Sequence, residues 1–543
     1  MAASLVGVSA VAQTANPTVS GAGDIARDQA RRAAADQAAD RATRENAPTA
    51  RLDARAGSAL GPFPIETPCF DIHRVEVEGR LPRRLKWVNR RLARFRGRCV
   101  GHTGLNYILK SLEADFVARG LVTTRAGLPQ QELSSGTLRV VVIPGIVAGV
   151  KGGTPKDRRA WWMASPLHKG DLVSLRAMEQ GLEQERRVPG AQVAVDLAPG
   201  TAPGDTIFEL KAKSAPPISG SVSANNLAGG ALNNWQGSAN LGVNNVLGLN
   251  EMFSAWYNSR FSNASVPADS TSSGGSLNIP YGWWTFGVTG SESHYRQEVI
   301  GQVQDFESSN TLTTIAATAE AVVHRDQTSR TSLQLQIQRR WGRSYIDGVE
   351  IALQHQDLTD LQFALLDRRD IGHTHIESQF AFRQGVGLLG AQSDQPGQPD
   401  DLPTARYGIA TVDVAATTQI TPIFDYRGTF RGQFGDHTLF GPDQFSAGGP
   451  YSVRGYSSDK AILGRSGLYF RQEIDWRANA RISPYALLDT GKVYGSAATP
   501  TGAGLGLRAN FRGATLDTYA AAPLTERGSN RKTQIGLTAG FGF

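Results

Sequence analysis

Residues 333–338 read Leu-Gln-Leu-Gln-Ile-Gln, so apolar and hydrophilic side chains alternate with a period of two. Apolar residues also take alternate positions in Trp284–Thr289 and at the chain end, Ile535–Phe543. This period places successive side chains on opposite faces of a β-strand. The partners of the apolar residues are too consistently hydrophilic for half of a soluble sandwich core. The pattern therefore predicts a transmembrane antiparallel β-barrel, with apolar side chains toward lipid and polar ones in the lumen.

The period of two begins near residue 215 and assigns residues 215–543 to the barrel. At roughly ten residues per spanning strand plus connections, this length predicts about sixteen strands. Tryptophans near the ends of the predicted strands are expected to form an interfacial girdle. They are Trp235, Trp283, Trp341 and Trp476.

Two tandem α+β modules are predicted ahead of the barrel, at residues 69–145 and 146–214. The first should begin with one strand, Phe70–Gly79, continue with a helix that ends at Gly120, and close with strand Thr137–Ile143. In the second, the spacing of Leu172, Leu175, Met178 and Leu182 marks a helix. Two strands are then expected, at Gln192–Leu197 and Thr206–Lys211.

The first 68 residues have a different composition. Residues 1–22 end a short apolar run in Ala10-Val11-Ala12, which indicates the remnant of a signal peptide or a disordered terminus. Residues 23–46 are rich in alanine and predict a helix that is polar all round. Residues 47–68 contain four prolines and predict an extended linker.

Composition and motifs exclude several classes of protein. Mean hydropathy is −0.28, and no run of 18 apolar residues is present, which argues against a helical membrane protein. The net charge of +7 comes without a nucleic-acid reader motif, so we expect no nucleic-acid partner. No nucleophile, phosphate-loop, cofactor-binding or metal-ligand motif occurs, so we expect no enzyme activity, no cofactor and no metal.

The segment Gln444–Tyr456 contains Val453-Arg454-Gly455-Tyr456 after a Gly-Gly pair, and Asp489-Thr490-Gly491 follows on a predicted strand. With the segment that begins at Cys69 and the chain end in Phe543, these motifs resemble two-partner secretion transporters. This is the TpsB family of filamentous haemagglutinin and haemolysin exporters, within the Omp85 superfamily. The resemblance covers nearly the whole chain. One departure is Asn225-Asn226, where the family often has Asp-Asn.

The resemblance implies that the two α+β modules are POTRA domains in the periplasm and that the barrel lies in the outer membrane of a Gram-negative bacterium. Residues 23–46 would be the plug helix, and residues 440–467 would be a long loop that enters the lumen. Within that loop, Val453, Arg454, Gly455 and Tyr456 would anchor the tip, and Arg454 would pair with Asp489 beside Gly491 on the barrel wall. The alternative for Arg454 is a solvated turn residue.

Two further expectations follow from the periplasmic location. Cys69 and Cys99 are an even pair in an oxidising compartment, where a disulfide is expected; two buried free thiols are the alternative. The POTRA domains would bind an unfolded TpsA-type exoprotein (an adhesin, a haemolysin or a contact-dependent toxin), unless they are spacers only. The candidate edge for an added exoprotein strand in the second domain is Gln192–Leu197 or Thr206–Lys211. Outer-membrane lipid and lipopolysaccharide would be the other partners, and the transporter would be a monomer.

Other functions fit the sequence less well. A BamA- or TamA-like insertase would share POTRA domains and similar barrel motifs. The count of two POTRA domains and the plug-like helix favour export over insertion. A diffusion porin would not need about 145 residues of α+β domains ahead of its barrel.

Overall fold

A computed structural model describes residues 61–79, 81–213, 216–227, 235–261, 268–299, 304–394, 396–458, 461–525 and 532–543. The predicted leader remnant and plug helix, and residues 47–60 of the predicted linker, lie outside these ranges. The last eight residues of that linker are not an extended spacer but pack on the first domain. Glu66 accepts hydrogen bonds from the backbone N–H groups of Gly101, Thr103 and Gly104 at 2.6–2.8 Å. It thereby caps the start of a helix.

The first domain packs two helices on a three-stranded sheet. Its elements are β1 (Phe70–Ile72), β2 (Arg74–Glu78), α1 (Trp87–Leu92), β3 (Arg98–Val100), α2 (His102–Ala118), β4 (Arg125–Gly127) and β5 (Thr137–Ile143). The sheet order is β2-β5-β4, with β2 parallel to β5, and β1 pairs separately with β3. Ile108, Leu112 and Phe116 on one face of α2 are fully buried in the core.

The predicted single strand Phe70–Gly79 is wrong, because the chain changes partners at His73. The backbone N–H groups of His73 and Arg74 both donate to the carbonyl oxygen of Gly136, at 2.8 and 3.1 Å. Residues before this point pair with β3, and residues after it pair with β5.

The second domain repeats the plan with β6 (Ile146–Gly152), α3 (Pro155–Ala164), α4 (Leu175–Arg186), β7 (Gln192–Pro199) and β8 (Asp205–Lys213). The sheet order is β6-β8-β7. A capping box formed by Thr154 and Asp157 starts α3. Leu172 precedes α4 instead of lying on it, and packs on the core of the first domain. No helix in the described ranges is both long and apolar enough to cross a membrane.

Sixteen antiparallel strands in the described residues close a barrel in chain order, with the last strand paired to the first. They are β9 (Ile218–Asn225), β10 (Trp235–Asn244), β11 (Met252–Phe261), β12 (Ala268–Tyr281), β13 (Trp284–Val299), β14 (Phe306–Arg325), β15 (Ser329–Ile346), β16 (Gln356–Ile371), β17 (Thr374–Val386), β18 (Gly408–Thr421), β19 (Phe424–Gly435), β20 (Gly467–Trp476), β21 (Ile482–Val493), β22 (Thr501–Phe511), β23 (Ala514–Pro523) and β24 (Gln534–Gly542). The predicted strand number is confirmed.

The outer face of the barrel is apolar and exposed, as the alternation predicted. Leu333 and Leu335 on β15 are exposed, whereas Ser332 and Arg340, on the other face of the same strand, are buried inside the barrel. Hydrophobic side chains that face outward cannot form an internal core, so their exposure fits a lipid-facing belt.

Two tryptophans depart from the predicted girdle. Trp283 is partly buried and packs on the core of the second domain, while its neighbour Trp284 takes the exposed outward position. Trp341 lies within β15 and carries the guanidinium of Arg339 over its ring. Trp235 and Trp476 lie at strand ends and are exposed, as expected.

The connection between β19 and β20 enters the barrel. This inner loop, residues 436–466, holds two paired short strands, Phe445–Ala447 and Ile462–Gly464. The sequence indicated neither of these strands. Gly467, which was assigned to the predicted loop 440–467, is already the first residue of β20. Val453 and Arg454 near the loop centre are almost fully buried, so the loop lies within the lumen.

Candidate functional site: a loop held inside the barrel

The tip of the inner loop is bonded to the barrel wall through Arg454. Its guanidinium donates to the Asp489 carboxylate twice, from Nε to Oδ2 at 2.6 Å and from Nη2 to Oδ1 at 2.8 Å. The backbone N–H of Arg454 donates to Oδ2 at 3.1 Å, and Nη1 donates to Glu473 on β20. Asp489 is fully buried. This bidentate geometry fixes both the position and the orientation of the loop tip.

The charges around Arg454 continue along the inner wall. The second oxygen of Glu473 accepts from Nη2 of Arg508 at 2.6 Å. Arg508 on β22 also donates to Asp475 at 2.6 Å and to Asp517 at 3.1 Å. Cations and anions thus alternate, and each compensates its neighbours. Removal of one partner of such a buried pair typically costs about 3–5 kcal/mol, because the remaining charge is uncompensated.

Three glycines make room for the loop tip against β21–β23. Gly455 has φ +99°, and a Cβ there would come within 2.8 Å of the backbone of β23. A Cβ on Gly491 would approach Val453 Cγ2 to 3.0 Å, and one on Gly502 would overlap the carbonyl oxygen of Arg454. The sequence motifs identified Gly455 and Gly491. Gly502 was missed, because nothing distinguishes it from the other glycines of β22.

The remaining motif residues contact the same part of the wall. Val453 is fully buried. The Tyr456 hydroxyl lies 2.6 Å from Thr525 Oγ1 and donates to the carbonyl oxygen of Thr501 at 3.4 Å. The structure therefore brings together all six residues that the sequence singled out in the loop and on the wall.

A second anchor holds the base of the loop, and the sequence analysis missed it. Asp443 accepts from Arg340 on β15 at 3.1 and 2.6 Å, and from Arg383 on β17 at 2.6 Å. Arg340 also donates to the hydroxyl of Tyr407, which donates to Asp360 on β16 at 2.5 Å. The sequence carries only a local signal for this site, an arginine on the lumen side of the β15 alternation, and that signal does not identify Asp443 as its partner.

The first domain carries the other pair that the sequence singled out. Cys69 and Cys99 form a disulfide. Together with the β1–β3 pairing, it ties the start of the domain to β3, the strand that precedes α2. The bond closes a loop with a sequence separation of 30, for which the chain-entropy model gives about 3–4 kcal/mol.

The second domain docks on the barrel end through α4. Glu183 on α4 bonds to Arg325 at 2.5 Å and to Arg330, on either side of the turn between β14 and β15. Gln184 Nε2 donates to Thr285 Oγ1 at 3.3 Å, at the start of β13. Burial alone would raise the pKa of Glu183, but the two arginines lower it to about 2. The domain is thus held to the barrel by buried ion pairs.

The pKa of Glu185 on α4 shifts in the opposite direction, because no cation in the described ranges compensates its burial. Burial raises its pKa from the ordinary 4.5 to about 7; a hydrogen bond with Asn250 opposes the rise and Asp157 adds to it. The folded state therefore binds the proton more tightly than the unfolded chain, and stability falls as the pH rises from about 4.5 to 7. The shift corresponds to on the order of 3 kcal/mol at pH above 7.

We expect Glu185→Gln to remove this pH dependence and to raise the unfolding temperature of the periplasmic part at pH 8. Differential scanning fluorimetry at pH 5, 6, 7 and 8 would measure it. The matched control is Glu113→Gln, which changes an exposed carboxylate on α2. Equal pH profiles for wild type and Glu185→Gln would contradict the assignment.

Asn225, which replaces the aspartate of the family's Asp-Asn pattern, and the matching Asn226 lie at the barrel seam. Asn225 Oδ1 accepts from Gln236 on β10 at 2.7 Å. The side-chain amide of Asn226 donates to Ile535 O at 2.9 Å, and its Oδ1 accepts from Leu537 N at 2.7 Å. Asn226 thus extends the short β9–β24 ladder by side-chain bonds to the backbone of β24.

Comparisons with known proteins agree with this architecture. The family model described as haemolysin secretion/activation protein ShlB/FhaC/HecB matches residues 204–510. A ShlB-type POTRA domain matches residues 70–145, and a second POTRA domain matches residues 146–199. The domains in front of the barrel are therefore POTRA domains.

Similar proteins and structures point the same way. The chain is 33% identical over 468 residues to the outer membrane transporter CdiB-2 of Burkholderia pseudomallei, covering 83% of this chain and 80% of that protein. It is 24% identical over 410 residues to the hemolysin transporter protein HpmB of Proteus mirabilis, covering 73% and 71%. The structure of CdiB from Escherichia coli superposes with a TM-score of 0.83 at 25% identity, covering 96% of this chain and 99% of that one.

These relatives are transporters, so the alternative of a barrel insertase is not favoured. The barrel lies in the outer membrane, and the POTRA domains lie in the periplasm. The chain belongs to the haemolysin secretion/activation protein ShlB/FhaC/HecB family, the two-partner secretion transporters of the Omp85 superfamily.

Proposed function

We propose that this transporter exports a TpsA-type exoprotein, taken up unfolded from the periplasm and passed through the barrel lumen. The observation that supports this most directly is the inner loop. It crosses the lumen and is bonded to the wall at both its base and its tip. A haemolysin, an adhesin or a contact-dependent toxin would each fit this role, and the name of the relative HpmB, a hemolysin transporter, supports the first of them.

The edge of the second POTRA sheet offers a docking place for the exoprotein. In the order β6-β8-β7, β8 is paired on both sides, so the predicted candidate Thr206–Lys211 has no free edge. The other candidate, Gln192–Leu197, lies on the edge strand β7. An extended exoprotein segment would add a strand there through backbone hydrogen bonds.

A photo-crosslinking experiment tests this role. A photoreactive amino acid at Ala194 on β7 is expected to capture a co-expressed exoprotein encoded beside the transporter during secretion. The matched control places the same group at Glu209, an exposed residue on the central strand β8. Equal capture at both positions would contradict edge binding. Unchanged secretion after deletion of residues 69–213, with the barrel still inserted, would contradict the role of both domains.

Residues 23–46 are proposed to form the helix that plugs the lumen at rest. Because residues 61–68 pack on the first domain, only residues 47–60 remain as a linker, which spans at most roughly 50 Å. Deletion of residues 13–46 is expected to raise single-channel conductance in planar bilayers. Unchanged conductance would argue against a plug in the pore.

We also propose that the transporter works as a monomer in contact with lipid and lipopolysaccharide.

A further inference from the structure

One surface of the second POTRA domain lies beside the lipid-facing belt of the barrel. We define this α3 surface by Lys156, Arg159, Trp162 and His168, together with Tyr281 at the end of β12. Trp162 is 51% exposed although it is large and apolar. Its ring stacks on His168 at 5.3 Å and meets Tyr281 edge-on at 6.0 Å between ring centroids. Tyr281 shares the outward face of β12 with Leu277, and both are exposed.

Two hydrogen bonds fix the height of α3 relative to the barrel. The backbone N–H of Gly282 donates to the carbonyl oxygen of Met163 at 2.8 Å. Asn250 Nδ2 donates to the carbonyl oxygen of Ala160 at 2.9 Å. Both donors lie in turns at the periplasmic ends of barrel strands. The helix therefore lies at the rim, where the lipid-facing surface meets the periplasm.

The turn below α3 continues the apolar surface. Val246 and Leu247, in the turn between β10 and β11, are exposed by 53% and 61%. They come just after the lipid-facing side of β10, on which Leu241 is also exposed. The lipid-facing belt thus extends to the part of the second POTRA domain that contacts the barrel rim.

Two cations lie over this turn. From the place where a Cβ on Gly248 would be, Lys156 Cγ is 2.8 Å away and Arg159 Nη2 is 3.0 Å away. Both side chains are exposed, and in the part of the chain that the structure describes neither forms an ion pair with a carboxylate. The carboxylate of the nearby Glu251 bonds to the turn itself, because it accepts hydrogen bonds from the backbone N–H groups of Leu247 and Leu249.

We propose that the α3 surface binds the headgroup of an anionic phospholipid in the periplasmic leaflet of the outer membrane. Lys156 and Arg159 bind the phosphate, and Trp162 and Tyr281 lie among the headgroups beside it. Tryptophan and tyrosine favour this depth because their rings are apolar with one polar edge. Lysine and arginine beside a membrane surface are attracted to anionic lipid. The bound lipid holds the second POTRA domain at a fixed orientation to the membrane.

Native mass spectrometry of the full-length protein tests this site, with phosphatidylglycerol as the probe and phosphatidylcholine as the neutral comparison. We expect retention of phosphatidylglycerol over phosphatidylcholine. In Lys156→Gln/Arg159→Gln, binding of phosphatidylglycerol should weaken by about fivefold for each charge removed, while phosphatidylcholine is unaffected. The matched control, Arg90→Gln/Lys110→Gln, removes two exposed charges from the first POTRA domain and should behave as wild type.

A second measurement tests the position of Trp162. The protein has nine tryptophans. In nanodiscs, the fluorescence of wild type minus that of Trp162→Phe therefore gives the signal of Trp162 alone. That difference should be quenched by a lipid labelled near its headgroup. Absence of quenching, or equal loss of phosphatidylglycerol in the control and test variants, would overturn the proposal. Heat-modifiable migration on gels verifies that each variant retains a folded barrel.

Discussion

Arg454→Ala is expected to abolish most secretion while the barrel still assembles in the outer membrane. The substitution leaves the Asp489 carboxylate buried with only one of its three donors from the loop, the backbone N–H of residue 454. It also removes one of the two arginines that donate hydrogen bonds to Glu473. A buried charge that loses its partner typically costs about 3–5 kcal/mol. The loop tip should therefore leave the wall rather than stay in place with an unpaired carboxylate.

Asp489→Ala should have a smaller effect than Arg454→Ala, because Arg454 keeps its bond to Glu473. The double variant should secrete about as little as Arg454→Ala alone, since both changes remove the same contact. Arg454→Lys should secrete less than wild type, because an ammonium group cannot bond both oxygens of Asp489 in one plane.

The measurement is the amount of exoprotein in the medium, normalised to folded transporter in the outer membrane. The matched control is Arg431→Ala on β19, which breaks a part-exposed pair with Asp413 at 3.2 Å that does not involve the loop. Additive losses from the two single substitutions would count against the pairing. Full secretion by Arg454→Ala would refute a role of this contact in export.

The sequence predicted the barrel and the tip of the loop because both leave local signals. Alternation over a few residues determines which face of a strand is polar, and the motif Val453–Tyr456 is contiguous. The alternation on β21 also restricts Asp489 to one face, and the lumen face is the favourable one because an ionised carboxylate on the lipid face would be costly.

Contacts between distant segments were not predictable in this way. Asp443 meets Arg340 and Arg383, which are 103 and 60 residues away, and no spacing rule connects them. The break at His73 depends on Gly136, in another part of the first domain. Trp283 is of a residue type that is expected in the girdle. It contacts protein instead, because the second POTRA domain docks against it.

Asp443→Ala is expected to release the base of the loop while Arg454 still holds its tip. In the wild type, Asp443 is buried and compensates two arginines from different strands, Arg340 and Arg383. Without the carboxylate, these two cations repel each other in a site from which water is largely excluded. Among the residues that the structure describes, the neutral Tyr407 hydroxyl is then the one hydrogen-bond acceptor that Arg340 keeps. The cost should again be about 3–5 kcal/mol, and movement of the loop base is the simplest way to relieve it.

Single-channel recording distinguishes this effect from loss of the tip contact. Asp443→Ala should give a larger and more variable conductance than wild type, because the base of the loop, between β19 and the first short strand, no longer lies against β15–β17.

Asp443→Asn should have a milder effect, since an amide oxygen still accepts from one arginine. Adding Arg383→Ala to Asp443→Ala should recover part of the wild-type behaviour, because it removes one uncompensated charge. Asp413→Ala serves as the control for loss of a carboxylate from the barrel wall. If Asp443→Ala kept wild-type conductance and thermal stability, the base of the loop would be held by its apolar contacts, such as those of Leu439 and Phe440, and the charged anchor would be dispensable.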